Sequence, residues 1–509
     1  LSKPTPLRAT PSAVRPRAPV CLLVAALAIS GLGRREAIGA PPTKPAAADV
    51  PAPKWRGDAA AAVDELARRL ADEGGRVGAA VLALPEGDLV ASANEGLVLN
   101  PASNAKIATA VAALEVLGAE HRFVTGLYGR VTRDGKGERL VLRGAGDPTF
   151  GTADLAELVR ELKDAGVTAV GEVFVDQAYF DERYVPPAFE QQPDEWAAFR
   201  APIAAVSLDR NTVSFTVYPG DEKGSPARVS ASPPGFVSLE GSVTTGKKGS
   251  AERVGLSLAG KAGRLEAKVS GTIAEGSRPA TYVRRVDDPR ALAGHALVAV
   301  LREQGIRAPD EVSLGGSSEK RALALHESAP LGQIVQALGK DSDNFTAEML
   351  FRAVGAAGEK DPTPEAAVKT VESVLRARGA LGPAERVVNG SGLFDANRTS
   401  ALSLAKLLGS AAADPKLGPE LVAHLAIGGV DGTLRGRLRA LKNKRTVRAK
   451  TGTLARTVAL SGYVLGADGA PSAAFSFIAE TPAGKTRPAR EAMDKAVLAL
   501  ARAIERDQN

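Results

Sequence analysis

Cysteine is almost missing from this 509-residue chain, and the one that occurs, Cys21, opens the apolar stretch 20–33. A lipid-anchored cysteine follows such a stretch, so a lipoprotein anchor is not expected. Once that segment is cut off, disulfides, thiolate metal sites and a cysteine nucleophile are excluded as well. Histidine is scarce too. His121, His295, His326 and His424 show no ligand spacing, so a zinc site is not expected. Aromatic residues make up only 4%, which leaves little for base-stacking surfaces. Long hydrophobic runs are lacking: the stretch 20–33 falls short of the about 20 apolar residues that span a bilayer.

What is there begins with charge. Of a net +7, five charges come from residues 1–39, where Lys3, Arg8, Arg15, Arg17, Arg34 and Arg35 face only Glu36. The nearly neutral remainder has no basic stripe, so a nucleic-acid partner is not expected. Basic residues, an apolar stretch and then the small residues around Ala37-Ile38-Gly39-Ala40 follow the order of an export signal. Segment 1–39 is therefore expected to send the protein to the periplasm or otherwise beyond the cytoplasmic membrane. Arg34-Arg35 lies after the apolar stretch, which gives twin-arginine export no support.

Residues 40–56, rich in Pro and Ala, read as a linker. With 44% hydrophobic residues the rest can fill more than one core. Ala61, Val63, Leu66 and Leu70 predict a first helix over 57–74, and 77–84 with 89–93 predict a β-hairpin around the turn at 85–88. From 122 to 321 short β-like runs broken by Gly, Pro and Asp predict one or two strand-rich modules inserted between host segments 57–121 and 322–509. Near the end, 446–450, 458–465 and 473–479 read as strands. The amphipathic stretch 489–504 reads as a helix covering their sheet rather than one lying on a membrane.

Three clusters carry chemistry. Ser103-Asn104-Ala105-Lys106 opens an apolar helical run, Ser342-Asp343-Asn344 follows far downstream, and Lys450-Thr451-Gly452-Thr453 comes last. A serine hydroxyl needs a base and an oxyanion donor to act as a nucleophile. Lys106, three residues on, shares a helical face with Ser103, and the helix start supplies backbone N–H groups. Lys106 serves as base only when neutral, which burial and a neighbouring cation such as Lys450 would favour. Ser342 and Asn344 suit a proton relay and an amide clamp; a helix cap before Phe345-Thr346-Ala347-Glu348 is the plainer alternative. Lys450, Thr451 and Thr453 offer a cation and two hydroxyls to a carboxylate, with Gly452 allowing close approach, whereas a solvated strand end is the plainer reading. Taken singly each motif is weak, since Ser317-Ser318-Glu319-Lys320 and Ser92-Ala93-Asn94 mimic two of them.

Together the ordered set resembles penicillin-binding proteins and serine β-lactamases. The interval from 103 to 342 is too wide for class A β-lactamases and is similar to that of the penicillin-binding protein 4-like D-alanyl-D-alanine carboxypeptidase/endopeptidase family (peptidase S13), which carries domains inserted after the nucleophile helix. Further segments resemble that family: Leu97 to Lys106, Gly144-Ala-Gly-Asp-Pro148, Val175-Asp176, Phe180-Asp181, Ala201-Pro202, Asp209-Arg-Asn211, Asn389-Gly-Ser-Gly392 and Asp431-Gly-Thr-Leu434.

The resemblance implies an α/β (α+β) fold, a serine β-lactamase/transpeptidase-like domain with an antiparallel sheet, covering helices and a helical subdomain, plus strand-rich inserted domains. It implies an acyl-enzyme on Ser103, formed from peptidoglycan stem peptides ending in D-Ala-D-Ala or from their crosslinks, with β-lactams as covalent inhibitors and no cofactor. Lys106 is then the base, and the backbone N–H groups of Ser103 and Thr453 hold the oxyanion. Ser342 protonates the leaving amine, Asn344 binds the peptide amide, and Lys450, Thr451 and Thr453 hold the terminal carboxylate. Asp194 stands where a family acid binds the amino end of the diaminopimelate side chain. Phe394-Asp395 replaces a family Ser-Arg, leaving Arg398 as the substitute for that arginine. A β-lactamase or esterase on the same fold, or a catalytically idle wall-binding protein, is the alternative. Membrane contact is expected to be peripheral at most, and a homodimer is left open.

Overall fold

All nine residues of the strand Thr457–Leu465 are buried, and their alternation explains how the host domain is layered. Ala459, Tyr463 and Leu465 point into one core while Val458, Leu460 and Val464 point into another, as a period of two requires of a strand covered on both faces. The computed structural model describes residues 54–508 apart from 262, 360, 361 and 444. The predicted export signal 1–39 and most of the predicted linker lie outside the described residues. Within them the linker stretch ends early, because Trp55 is buried and a helix begins at Arg56.

The strand sits in a six-stranded antiparallel sheet whose order is Ala426–Ile427, Val447–Thr453, Thr457–Leu465, Pro471–Glu480, Arg76–Ala83 and Asp88–Ala93. The helices Arg56–Asp72 and Thr486–Gln508 cover one face through Val63, Leu66, Leu70, Val497, Leu500 and Ile504. Ala61, predicted to face inward, is exposed, and Ala59 takes its place. The other face carries the helical layer that includes Ala105–Val116, Leu331–Lys340, Asn344–Gly358, Pro364–Ala377 and Ala401–Ala412. Ala105–Val116 is buried from Ala105 through Leu114; its many alanines let neighbouring elements approach an all-round core helix.

The sequence predicts Lys450 on a sheet edge. The strand Val447–Thr453 is second in the order, but its outer neighbour spans two residues and pairs only with Arg448 and Ala449. Lys450 to Thr453 therefore keep an open edge, where a peptide can add as a further strand.

Between the host segments lies a five-stranded sheet, ordered Val312–Gly315, Ala169–Asp176, Lys136–Gly144, Val124–Val131 and Ala322–Glu327. Three- and four-stranded sheets built from 212–285 interrupt it in the chain, between Ala169–Asp176 and Val312–Gly315. The last strand, Ala322–Glu327, pairs with Val124–Val131. We therefore propose to end the insert after 327 rather than at 321. The insert is also less purely β than predicted: the helices Thr152–Asp164 and Pro289–Glu303 pack on its sheet, the first through Leu155, Leu158, Val159 and Leu162. No helix among the described residues is long and apolar enough to cross a membrane.

Candidate active site

The turn before the helix Ala105–Val116 is held from three sides. Asn100 accepts from the Ala102 N–H through Oδ1 (2.9 Å) and donates through Nδ2 to the Phe394 carbonyl (2.9 Å). Ala102, at φ +48°, starts a single 3-10 turn, Ala102–Asn104. Asn104 donates to Ser461 Oγ on the central strand (2.7 Å). Ser103 alone of residues 101–114 is not buried, so its hydroxyl is the accessible polar group of this turn.

Two glycines make the approach to that turn feasible. A Cβ on Gly452 would lie 2.9 Å from the Pro101 carbonyl oxygen, and one on Gly392 would lie 1.9 Å from that of Ala102, with Gly392 also at φ +73°. Gly392→Ala is therefore expected to cost more than the about 1–3 kcal/mol of a strained backbone alone, because the Ala102 peptide must move. Thermal melting should fall by several degrees, while Gly436→Ala, which meets nothing within 4 Å, should leave it unchanged.

Lys106 is fully buried, and its Nζ lies 3.0 Å from Ser103 Oγ, 2.8 Å from Asn344 Oδ1 and 2.6 Å from the Ser391 carbonyl oxygen. The amide of Asn344 is oriented by its Nδ2, which donates to the Phe199 carbonyl at 3.1 Å, so Oδ1 must face the lysine. Burial pulls the Lys106 pKa from 10.5 down to about 7, against Glu348 and Asp343, which raise it. Lys450, also fully buried, is pushed down by burial and by Lys106. Two buried amines share one crevice; desolvation lowers the Lys106 pKa, and the charge effect expected from the sequence falls on Lys450 instead. Lys450 Nζ donates to Ser342 Oγ (2.8 Å) and to the Thr451 carbonyl (2.8 Å).

The cap of the helix Asn344–Gly358 is Asp343, whose Oδ1 accepts from Thr346 N at 2.7 Å. Capping therefore falls to the middle residue of Ser342-Asp343-Asn344 and leaves the outer two for the crevice. Ser342 stands at φ +60°, a left-handed conformation uncommon outside glycine. The insert takes part: Arg210 pairs with Asp343 at 3.2 Å, and Phe199 supplies the carbonyl that holds Asn344.

Ser103, Lys106 and Asn344 thus form one set of contacts and Ser342 with Lys450 a second, brought together by the loop Ser342 to Asn344 and by the charge of Lys106 acting on Lys450. Thr451 adjoins it but gives its hydroxyl to Thr433 (2.9 Å), and Thr453 is exposed at the open edge beyond Gly452. Asp194 is exposed and acts on Arg200 and Arg285; no direct contact joins it to the crevice among the described residues. Arg398 turns to Asp395 (2.6 Å) and to the Asn397 carbonyl (2.9 Å), so its charge is already engaged. Phe394, at φ +65°, stacks edge-on against Phe189 and beneath Arg200. Three contributors have no role assigned from sequence: Ser391, Thr433 and Glu348. The first two lie in the glycine-punctuated segments Asn389 to Gly392 and Asp431 to Leu434, which is their only signal, while Glu348 resembles half of a capping box.

The family model described as D-Ala-D-Ala carboxypeptidase 3 (S13) matches residues 59–502. A D-alanyl-D-alanine carboxypeptidase of Actinomadura sp. (strain R39) is 35% identical over 456 residues, 86% of this chain and 82% of that protein. D-alanyl-D-alanine carboxypeptidase DacB of Haemophilus influenzae is 27% identical, over 82% of this chain and 88% of its own. The crystal structure of penicillin binding protein 4 from H. influenzae superposes with a TM-score of 0.71 at 26% identity, covering 86% of this chain and 98% of that one. The same protein complexed with a β-lactam gives 0.68 at 25% identity over 87% and 99%. With a family match spanning nearly every described element and the three motifs meeting in one crevice, the chain belongs to the D-Ala-D-Ala carboxypeptidase 3 (S13) family.

Proposed function

We propose that the protein is a penicillin-sensitive serine D,D-carboxypeptidase/D,D-endopeptidase that cleaves D-Ala-D-Ala ends or crosslinks of peptidoglycan stem peptides through an acyl-enzyme on Ser103. The observation that carries this reading is the hydrogen-bond set of Lys106. Asn344 Oδ1 and the Ser391 carbonyl can only accept, so a neutral amine gives them both of its N–H bonds and keeps its lone pair toward the Ser103 hydroxyl 3.0 Å away. That is the arrangement a general base needs.

Ser103 Oγ attacks the carbonyl carbon of the penultimate D-Ala as Lys106 Nζ takes its proton. The backbone N–H groups of Ser103 and Thr453 stabilise the oxyanion. Ser342 delivers a proton to the departing amine, and its contact with Lys450 supports that relay. Lys450 also binds the substrate: burial holds its pKa below the usual range, and a substrate carboxylate beside it favours its charged form, aided by Thr451 and Thr453. Asn344 orients the peptide amide while a stem lies along the open edge of the strand Val447–Thr453. Water then releases the acyl group. A β-lactam presents the same carboxylate and carbonyl, but its leaving amine stays tethered, so its adduct persists.

The substrate implies action outside the cytoplasmic membrane, in keeping with the export segment read from the sequence. No nucleic acid, at most peripheral membrane contact, and a homodimer still open complete the proposal. For the diaminopimelate grip assigned to Asp194 and Arg398, Arg398 must first leave Asp395.

The test is mass analysis of products from purified muropeptides. Wild type is expected to release D-Ala from pentapeptides and monomers from crosslinked dimers, and Ser103→Ala neither. Intact muropeptides together with rapid penicillin turnover would make the protein a β-lactamase instead.

A further inference from the structure

Glu348 sits one turn beyond Asn344 on the helix Asn344–Gly358, only 1% exposed, on the face turned to Lys106. Its two oxygens accept from consecutive backbone N–H groups, Gly390 at 3.1 Å and Ser391 at 2.8 Å, and the Ser391 hydroxyl is a third donor. The carbonyls of the same two residues point the other way, onto the nucleophile helix. Gly390 O accepts from Thr109 Oγ1 at 2.7 Å, and Ser391 O accepts from Lys106 Nζ at 2.6 Å. A Cβ on Gly390 would lie 2.6 Å from the Ala347 carbonyl oxygen, so the turn is pressed against the helix that carries Glu348.

Two converging N–H groups require two acceptor oxygens on one side chain. Glutamine would present one oxygen and one NH2, setting donor against donor, so the geometry selects a carboxylate. A buried carboxylate is costly without donors and a nearby cation, and this one has both. Resting on the reading of Lys106 as base, we propose that Glu348 is a positioning residue for acylation: it fixes the Ser391 carbonyl that aims Lys106 and supplies the counter-charge against which Lys106 exchanges its proton.

Burial raises the Glu348 pKa on balance, while its three donors and Lys106 pull it back toward the ionised form. Three donors on one carboxyl favour the ionised form. The charged groups facing Lys106 are Glu348 and Asp343 from this helix and its cap, and Lys450 from the strand Val447–Thr453. Asp343 is already paired with Arg210, which leaves Glu348 as the less compensated negative charge.

The experiment is the pH dependence of the acylation rate with a fluorescent penicillin, measured on the full chain with melting curves alongside. In Glu348→Gln the ammonium form of Lys106 loses its counter-charge. The acid limb of the profile is therefore expected to move down by about one pH unit or more, and the plateau to fall. A residue that merely holds the turn would lower the plateau and leave the limb in place, which overturns the proposal. Should the glutamine variant not fold, Glu348→Asp decides. It keeps the charge but withdraws it by one methylene and so weakens the counter-charge: the plateau should drop and the limb move down by a smaller step, whereas a plateau that drops with the limb left in place would refute the idea. Ser103→Ala separates the two layers: labelling of that variant sinks the acyl-enzyme reading itself, whereas an unlabelled Ser103→Ala with an unmoved limb sinks only the role of Glu348.

Discussion

Ser103→Ala is expected to abolish covalent labelling by a fluorescent penicillin and to lower kcat/KM for D-Ala release by about four to six orders of magnitude. No other residue of the nucleophile turn presents an accessible hydroxyl, and Ser103 Oγ is the hydroxyl in contact with Lys106 Nζ among the described residues. The loss is chemical rather than structural. Asn100, Asn104 and Gly392 hold the turn independently of the serine side chain, so melting should stay within about 2 °C of wild type. Peptide mass mapping of the labelled wild type should find the adduct on Ser103. Persistent labelling of the alanine variant, or an adduct elsewhere, would remove the nucleophile assignment and with it the proposed reaction.

The second large effect concerns Lys106. Lys106→Met keeps the volume of a fully buried side chain and deletes the base, so acylation should slow by about 10²–10⁴-fold with folding preserved. In wild type the sign of the pH dependence follows from which form works. Burial favours the neutral amine and brings the pKa to about 7; below that value the lysine is protonated and has no lone pair for the serine proton. Acylation should therefore fall as pH drops through about 7 and level off above it, until another group titrates. Lys106→Met should show a low rate without that limb. A wild-type rate independent of pH between about 6 and 8 would contradict a lysine base tuned by desolvation.

Much of this site is legible without any coordinates. Ser103 and Lys106 announce themselves locally, because helical spacing and a following apolar run are properties of adjacent residues. Glycine at 390, 392 and 452 is readable as punctuation, although only packing shows what each Cβ would strike. Other features have no local signature. A backbone carbonyl, such as that of Ser391 or Phe199, is common to every residue, and only tertiary placement makes it an acceptor for Lys106 or Asn344. Glu348 looks like helix capping because that explanation needs only neighbours, whereas its partners are about 40 residues away. The strand Ala322–Glu327 falls outside the insert in a sequence reading because its partner is almost 200 residues upstream.

The order of motifs, the pattern of apolar residues and the near absence of cysteine and clustered histidine determined the reaction class, the nucleophile we propose and the sandwich of sheet and helices. Each follows from composition or from spacings of a few residues, together with the family those segments resemble. Tertiary structure alone decided which acceptors surround the Lys106 amine, that desolvation lowers its pKa, and that Phe199 of the insert holds Asn344 from outside the host segments. Those are properties of distance and solvent exclusion between segments remote in the chain, and they arise only once the segments are packed together.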